Sequence, residues 1–398
     1  MTIGIAGPVD ISLLDFKVGD QIIPKKIKSF PLMSYLANAF LKRGHKVIFY
    51  SYAWGIEKPV ILKDENVTIC LVKRENHAVR NFYATQRKNL LELIKQYPAD
   101  IISAQWSYEF AWAALDSKIP TVITLRDHAL TIFKFNPDPN RFIKLLTNYI
   151  VLKKTKYLTA NSSYLLKKIN SKKINSRVIS NFYKKSIEQH FLADKPKSDY
   201  IVSVSHGFDQ RKNISSALFA FSILKEKYPQ LKFMILGYGM EKGGKAFTFA
   251  KKNNIMDQLL FGGEKHHNEV IEIIRDARLL LHPSREESFG NVVLEAMVVG
   301  TPVVGGDKSG NVPTLLDQGK AGILCDINSP EDMAEKMDGI LGDPVRYEKV
   351  RQAARKFALA NYNEDKIVEE FLDFFREVLN QSKTNNHELT DAVYSRTK

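Results

Sequence analysis

Short apolar runs rich in β-branched residues alternate with amphipathic helical patterns along almost the whole of this chain, and that alternation constrains its fold more than any other feature. In the first half, strand patterns at Thr2–Ala6, Lys46–Tyr52, Ile101–Ala104, Ile119–Leu125 and Tyr157–Ala160 are interleaved with helical patterns at Leu32–Lys42 and Thr85–Gln96. Parallel strands need a crossover of about a dozen residues, which a helix supplies, so this order predicts βαβ units and parallel sheets. Arg43-Gly44-His45 fits the scheme, with a glycine at the helix stop and a strand directly after it.

The alternation pauses at a polar stretch, residues 194–199, and restarts with a strand pattern at Tyr200–Ser205. Further strands are expected at Lys232–Leu236, Gln258–Phe261, Leu279–His282, Pro302–Gly305 and Gly322–Cys325, with helices at Ser215–Lys227, Lys242–Asn253, Asn268–Asp276 and Asn291–Val299. Helical patterns at Glu331–Leu341, Arg346–Asn361 and Glu364–Leu379 follow, and the polar residues 380–398 are expected to fray. Because 398 residues exceed what one core usually serves, the expectation is α/β with two doubly wound, Rossmann-like domains. Their bounds are residues 1–195 and 200–362, with a helix at 363–380 and a tail at 381–398. Ligands of open parallel sheets bind beyond the carboxyl ends of the strands, so a cleft between the halves is the expected site.

Composition narrows the class. The two cysteines, Cys70 and Cys325, are too few for a disulfide framework or a zinc cage and fit a reducing compartment. With no signal-peptide pattern and no run near 18 apolar residues, the chain is expected to be cytoplasmic. Residues 1–198 hold 32 Lys and Arg against 15 Asp and Glu, whereas the remainder holds 26 against 29. The excess concentrates in residues 140–197, which have 14 basic and two acidic side chains. That imbalance suits an anionic partner surface, and also a solvated surface in a lysine-rich chain.

The segment Pro283-Ser284-Arg285-Glu286-Glu287-Ser288-Phe289-Gly290-Asn291, running on to Glu295-Ala296-Met297 and Gly300-Thr301-Pro302, carries most of the chemistry. A strand ends at His282, a loop holds Glu287, and Ser288, Phe289, Gly290 and Asn291 open a helix whose free amides form an anion site suited to a diphosphate. Glu287 before the helix and Glu295 within it are placed to accept from vicinal hydroxyls of a sugar and a ribose. The segment resembles the E-x7-E signature of the retaining family 4 glycosyltransferases with the GT-B fold, and the resemblance extends over nearly the whole chain. It implies that Glu287 contacts the donor sugar and that Glu295 holds the ribose.

Further matches to that family are individually weaker. Ser205-His206-Gly207 and Arg211-Lys212-Asn213 resemble the family's Gly-Arg and Lys-Asn segments, whose Arg and Lys grip the donor diphosphate. Lys212 matches the Lys, while His206 stands where the family has Arg, so Arg211 is the candidate substitute. Gly263-Glu264-Lys265 resembles the loop that reads the nucleotide base, which makes Lys265 a donor-site candidate. In the first half, Gly7 is expected to allow backbone approach to the diphosphate, and Asp127-His128 resembles an inverted His-Asp pair at the acceptor side.

The resemblance implies transfer of a sugar from a nucleotide-diphosphate donor to a saccharide or lipid-linked acceptor in surface polysaccharide, lipopolysaccharide or glycolipid assembly. No cofactor and no metal are expected, since the sequence has no Asp-x-Asp motif. Two other classes stay open: a hydrolysing nucleotide-sugar epimerase of similar fold, and a basic nucleic-acid-binding protein, for which no aromatic-interleaved motif accompanies the lysines. Residues 140–177 suggest peripheral attachment to anionic membranes. Phe142, Leu145, Leu146, Tyr149 and Ile150 keep helical spacing beside Arg141, Lys144, Lys153, Lys154 and Lys156, and Lys167, Lys168, Lys172, Lys173 and Arg177 extend the run. Apolar residues at this spacing are more often core, so the lysines carry that reading.

Overall fold

The computed structural model describes all residues except Val18, 170–173, 194–195 and 396–398, and only the backbone of residues 385–395. Lys172 and Lys173 therefore lie outside the described residues. The chain divides into two compact units, one of residues 1–179 with 365–398, the other of residues 180–364.

Among the described residues the first unit holds a nine-stranded sheet. Its strands are β1 (Thr2–Ala6), β2 (Lys26–Ile27), β3 (Lys46–Trp54), β4 (Val60–Lys63), β5 (Val67–Lys73), β6 (Ile101–Gln105), β7 (Thr121–Leu125), β8 (Tyr157–Ala160) and β9 (Asn175–Val178). The order is β4-β5-β3-β1-β6-β7-β8-β9, with β2 on β3, and only the β4–β5 and β2–β3 pairings are antiparallel. Sequence pattern placed nothing at β2, β4, β5 or β9. The hairpin β4–β5 closes through a tight turn in which Asp64 N donates to Val67 O at 2.8 Å. The edge strand β9, Asn-Ser-Arg-Val, has no apolar run to announce it.

The second unit holds six parallel strands: β10 (Ser198–Val204), β11 (Lys232–Leu236), β12 (Leu259–Gly263), β13 (Ala277–His282), β14 (Val303–Gly306) and β15 (Ile323–Cys325). Their order, β12-β11-β10-β13-β14-β15, is the doubly wound 3-2-1-4-5-6 arrangement. Ile201, Val202, Leu279, Leu280 and Leu281 are fully buried at its centre, as a sheet covered by helices on both faces requires.

The division after Ile179 corrects the expected boundary near residue 195. Tyr183 and Ile187 are buried in the second unit's core, and Tyr183 N donates to Tyr362 O at 3.3 Å. The polar stretch 194–199 therefore lies inside that unit rather than between the two; residues 194–195 are outside the described residues, and Ser198 and Asp199 already belong to β10. The last helix, Glu364–Ser395, continues beyond the Leu379 at which the apolar pattern fades. Within the first unit it is tied by Arg43 to Asp365 and Glu369, both at 2.8 Å, and by Phe375 on Phe40. No helix among the described residues is long and apolar enough to cross a membrane.

Candidate active site

In each sheet the strand order reverses beside the first strand of the unit, between β10 and β13 in one and between β1 and β6 in the other. At such a point the loops leaving the carboxyl ends diverge and open a crevice. The predicted donor residues cluster at the first of these points.

After β10 the chain turns at Gly207, whose φ of 100° favours glycine, and Asp209 Oδ1 accepts from Lys212 N at 2.8 Å. Asn213 opens the helix Ile214–Leu224 at φ 54° and anchors its buried side chain on Ile327 O at 2.7 Å. This winding directs Lys212 toward the loop after β13, where its Nζ lies 2.5 Å from Glu287 Oε1. Both side chains are largely buried, 13% and 15% exposed. Arg285 locks the two loops together, donating N to Arg211 O at 2.8 Å and Nη1 to Gln210 O at 2.9 Å.

Glu287 is also backed by His282, the last residue of β13, whose buried Nε2 stands 3.5 Å from Oε1. The sequence pattern gave His282 no role, because a strand-terminal histidine reads as core. Burial alone would push the Glu287 carboxyl up; Lys212 and His282 outweigh it and hold the group well below the usual carboxylate range. A third loop braces the backbone of Glu287. Asn311 N donates to Glu287 O at 2.9 Å, and a Cβ on Gly310, at φ 63°, would lie 2.2 Å from that same oxygen. The Ser309-Gly310-Asn311 segment thus needs its glycine to let the Glu287 loop pass.

Glu295 sits one turn into the helix Asn291–Val298 and bonds His267 Nε2 at 2.8 Å. That hydrogen bond raises the His267 pKa above its ordinary value. His267 was likewise missed, since two adjacent histidines at a helix start carry no signal of a carboxylate 28 positions away. Gly290, at φ 101°, sets the helix entry, and Asn291 Oδ1 accepts from Asn181 Nδ2 at 2.8 Å.

The remaining predicted residues separate. Phe289 packs its ring edge-on against Tyr362 in the core, which takes its side chain out of the site. Ser288 is half-buried at the helix entry. Arg211 is half-buried and makes no side-chain ion pair among the described residues, whereas Lys265 pairs with Glu269 at 2.9 Å. His206, 82% exposed, stands 4.0 Å from Glu264 and packs against Tyr238.

In the first unit Gly7 donates its amide to Tyr50 O at 3.1 Å, and its Cα presses on Gln105, where a Cβ would approach within 3.0 Å. Packing on Gln105 thus calls for a glycine here, and the Gly7 amide is engaged by Tyr50. Asp127 accepts from Tyr108 OH at 2.9 Å and lines a cavity, while His128 bonds Thr131 Oγ1 at 2.7 Å and is not part of that lining. Burial, with Lys168 and Lys134 nearby, lowers the His128 pKa.

Comparison with known proteins accounts for both units. The family described as Glycosyltransferase Family 4 matches residues 32–186, and that described as Glycosyl transferases group 1 matches residues 185–357. An uncharacterized glycosyltransferase of Haemophilus influenzae is 27% identical over 343 residues, 84% of this chain and 92% of the relative. The N-acetyl-alpha-D-glucosaminyl L-malate synthase of Bacillus anthracis is 24% identical over 310 residues, 74% of this chain and 79% of its own. Among solved structures, the sucrose-phosphate synthase of Thermosynechococcus elongatus superposes with a TM-score of 0.74 at 16% identity, covering 96% of this chain and 99% of that one.

Proposed function

Because the chain belongs to the group 1 glycosyltransferases, with the GT-B fold, we propose that it transfers a sugar with retention of configuration from a nucleotide-diphosphate donor to a saccharide or lipid-linked saccharide. The observation that carries the reading is the buried Lys212–Glu287 pair at the carboxyl end of β13. Lys212 has three ammonium protons and directs one to Glu287, which leaves others for a diphosphate oxygen. Glu287 Oε1 is engaged by Lys212 and faces His282, so Oε2 remains for a sugar hydroxyl. Glu295, oriented by His267, supplies a second acceptor for ribose hydroxyls.

In the proposed step the bond from the sugar's anomeric carbon to the diphosphate oxygen breaks, and a bond to the acceptor oxygen forms on the same face. The acceptor proton passes to the departing diphosphate. Lys212, Arg211 and the amides at the Asn291 helix entry meet the charge that develops on the leaving group, with no metal required. The test is a panel of nucleotide sugars followed for release of nucleoside diphosphate, with the anomeric configuration of the product read by NMR. One donor turned over with retention supports the reading. Release of an epimerised free sugar favours the epimerase, and steeply salt-dependent RNA or DNA binding with no turnover favours the nucleic-acid protein.

Peripheral membrane attachment, in keeping with a cytoplasmic enzyme of surface glycan or glycolipid assembly, belongs to the same proposal. Its support differs from that expected. On the helix Pro139–Lys154 three of the five stripe residues face solvent, Phe142 48%, Leu146 36% and Tyr149 58% exposed, while Leu145 and Ile150 are half-buried. Lys144 and Lys153 flank the stripe, whereas Arg141 is paired with Asp138, so apolar insertion and the lysines act together. Other cations of the run are committed elsewhere: Arg177 to Glu377 at 2.6 Å and Lys154 to Asp116 at 2.9 Å.

A further inference from the structure

The crevice of the first unit contains a cavity of about 270 Å³ at the point where the β1 and β6 loops diverge. Three cations line it, Lys28, Arg74 and Lys144, against two carboxylates, Glu109 and Asp127. None of the three cations is salt-bridged to a carboxylate among the described residues. Arg74 bonds the neutral amide of Gln86 at 2.7 Å and stacks over Tyr52 at 4.7 Å, and Lys144 lies 5.4 Å over the Tyr108 ring. Desolvation together with Lys144 lowers the Lys28 pKa, as expected of like charges gathered in one place. Such a group is costly to assemble unless an anion joins it.

The rest of the lining suits a sugar. Tyr52, Tyr83, Trp106 and Tyr108 present aromatic surface, and Glu109 and Asp127 are hydroxyl acceptors. Tyr83 is 1% exposed and its hydroxyl has no hydrogen-bond partner among the described residues. Tyr83 and Trp106 are both held at positive φ, 58° and 60°, a strained conformation for bulky residues that is found mainly at functional sites.

We propose that this cavity binds the acceptor as an anionic saccharide, a sugar carrying a phosphate or diphosphate, with Lys28, Arg74 and Lys144 holding the anion and the aromatic rings the sugar. This rests on the glycosyltransferase reading and names the acceptor class for it. A soluble sugar phosphate and a lipid-diphosphate sugar share that chemistry.

The test uses the full chain. All three tryptophans, Trp54, Trp106 and Trp112, lie in the first unit, and Trp106 lines the cavity, so their fluorescence reports a ligand bound there. Inorganic pyrophosphate, glucose 6-phosphate, farnesyl-diphosphate-linked N-acetylglucosamine and neutral glucose are titrated separately. Anionic probes are expected to bind at least about tenfold more tightly than glucose, and Lys28→Met/Lys144→Met is expected to erase that advantage. Arg74→Gln, checked for an unchanged melting temperature, gives a second variant with the same expectation. Tighter binding of glucose 6-phosphate than of the lipid analogue assigns a soluble acceptor, and the reverse a lipid-linked one. Equal binding of glucose and every anion, or anion binding indifferent to both variants, overturns the proposal. Turnover of a nucleotide sugar by the wild type, measured on the same preparation, tests the glycosyltransferase reading separately.

Discussion

Replacing Lys212 by Met strands a buried carboxylate, and the consequence for stability is worked from the geometry around it. In the wild type the pair is about six-sevenths buried and closed at 2.5 Å. Removing one partner of such a pair typically costs about 3–5 kcal/mol, because the remaining charge stays desolvated. His282, 3.5 Å from Glu287, offsets part of that loss, so about 3 kcal/mol is expected at pH 7.5. The pH dependence has a definite sign. The wild-type Glu287 carboxyl has a depressed pKa, so its contribution is present above the unfolded value near 4.3 and is lost as pH falls through the folded value. Without Lys212, burial dominates and raises the pKa, so the folded variant takes up a proton more readily than the unfolded chain. The penalty should then shrink to about 1 kcal/mol or less at pH 5. Lys212→Met/Glu287→Gln, which removes both charges, should recover most of the loss at pH 7.5. Urea denaturation measures this, with far-UV circular dichroism following the whole chain and tryptophan fluorescence following the first unit alone. A penalty equal at both pH values, or a double variant as unstable as the single one, would refute the reasoning.

Gly310→Ala should lower kcat and destabilise the second unit by about 1–3 kcal/mol, since its φ and the 2.2 Å approach to Glu287 O both oppose a side chain; circular dichroism melts and donor turnover check it, and wild-type values of both contradict it. Activity should survive EDTA, and dependence of the rate on added manganese or magnesium would contradict the metal-free mechanism. In vesicle co-sedimentation, binding to anionic but not neutral lipid is expected, lost at high salt. Phe142→Ser/Tyr149→Ser should weaken it severalfold, and reversing Lys167 and Lys168 should reduce it further, whereas equal binding to neutral vesicles would defeat the membrane proposal.

The fold was largely legible because buried parallel strands are almost pure apolar runs. The patterns at Tyr157–Ala160 and Lys232–Leu236 coincide with β8 and β11 residue for residue. Polarity misled at residues 194–199, which mark no boundary between the units, and this is why residues 180–193 were assigned to the wrong one. In the site, Glu287 and Glu295 were visible because one loop and one helix entry space them, and Lys212 because the segment after β10 resembles the family's Lys-Asn segment. His282 and His267 were not visible, because each acts through a partner that only the sheet order brings near. Gly7 and Phe289 fit the motif register, yet the first spends its amide on Tyr50 and the second its ring in the core. The cationic cavity of the first unit draws Lys28, Arg74 and Lys144 from three distant segments, so no local pattern could reveal it.

The central claim is that Glu287 acts on the donor sugar during transfer while Glu295 holds the donor. Steady-state kinetics of Glu287→Gln and Glu295→Gln, with the donor identified by the panel and folding verified by melting temperature, tests it most directly. The account predicts that Glu287→Gln lowers kcat by about 30- to 1000-fold, equivalent to about 2–4 kcal/mol of barrier. Glu295→Gln should chiefly raise the donor KM. A Glu287→Gln enzyme that turns over donor at the wild-type kcat would contradict the account.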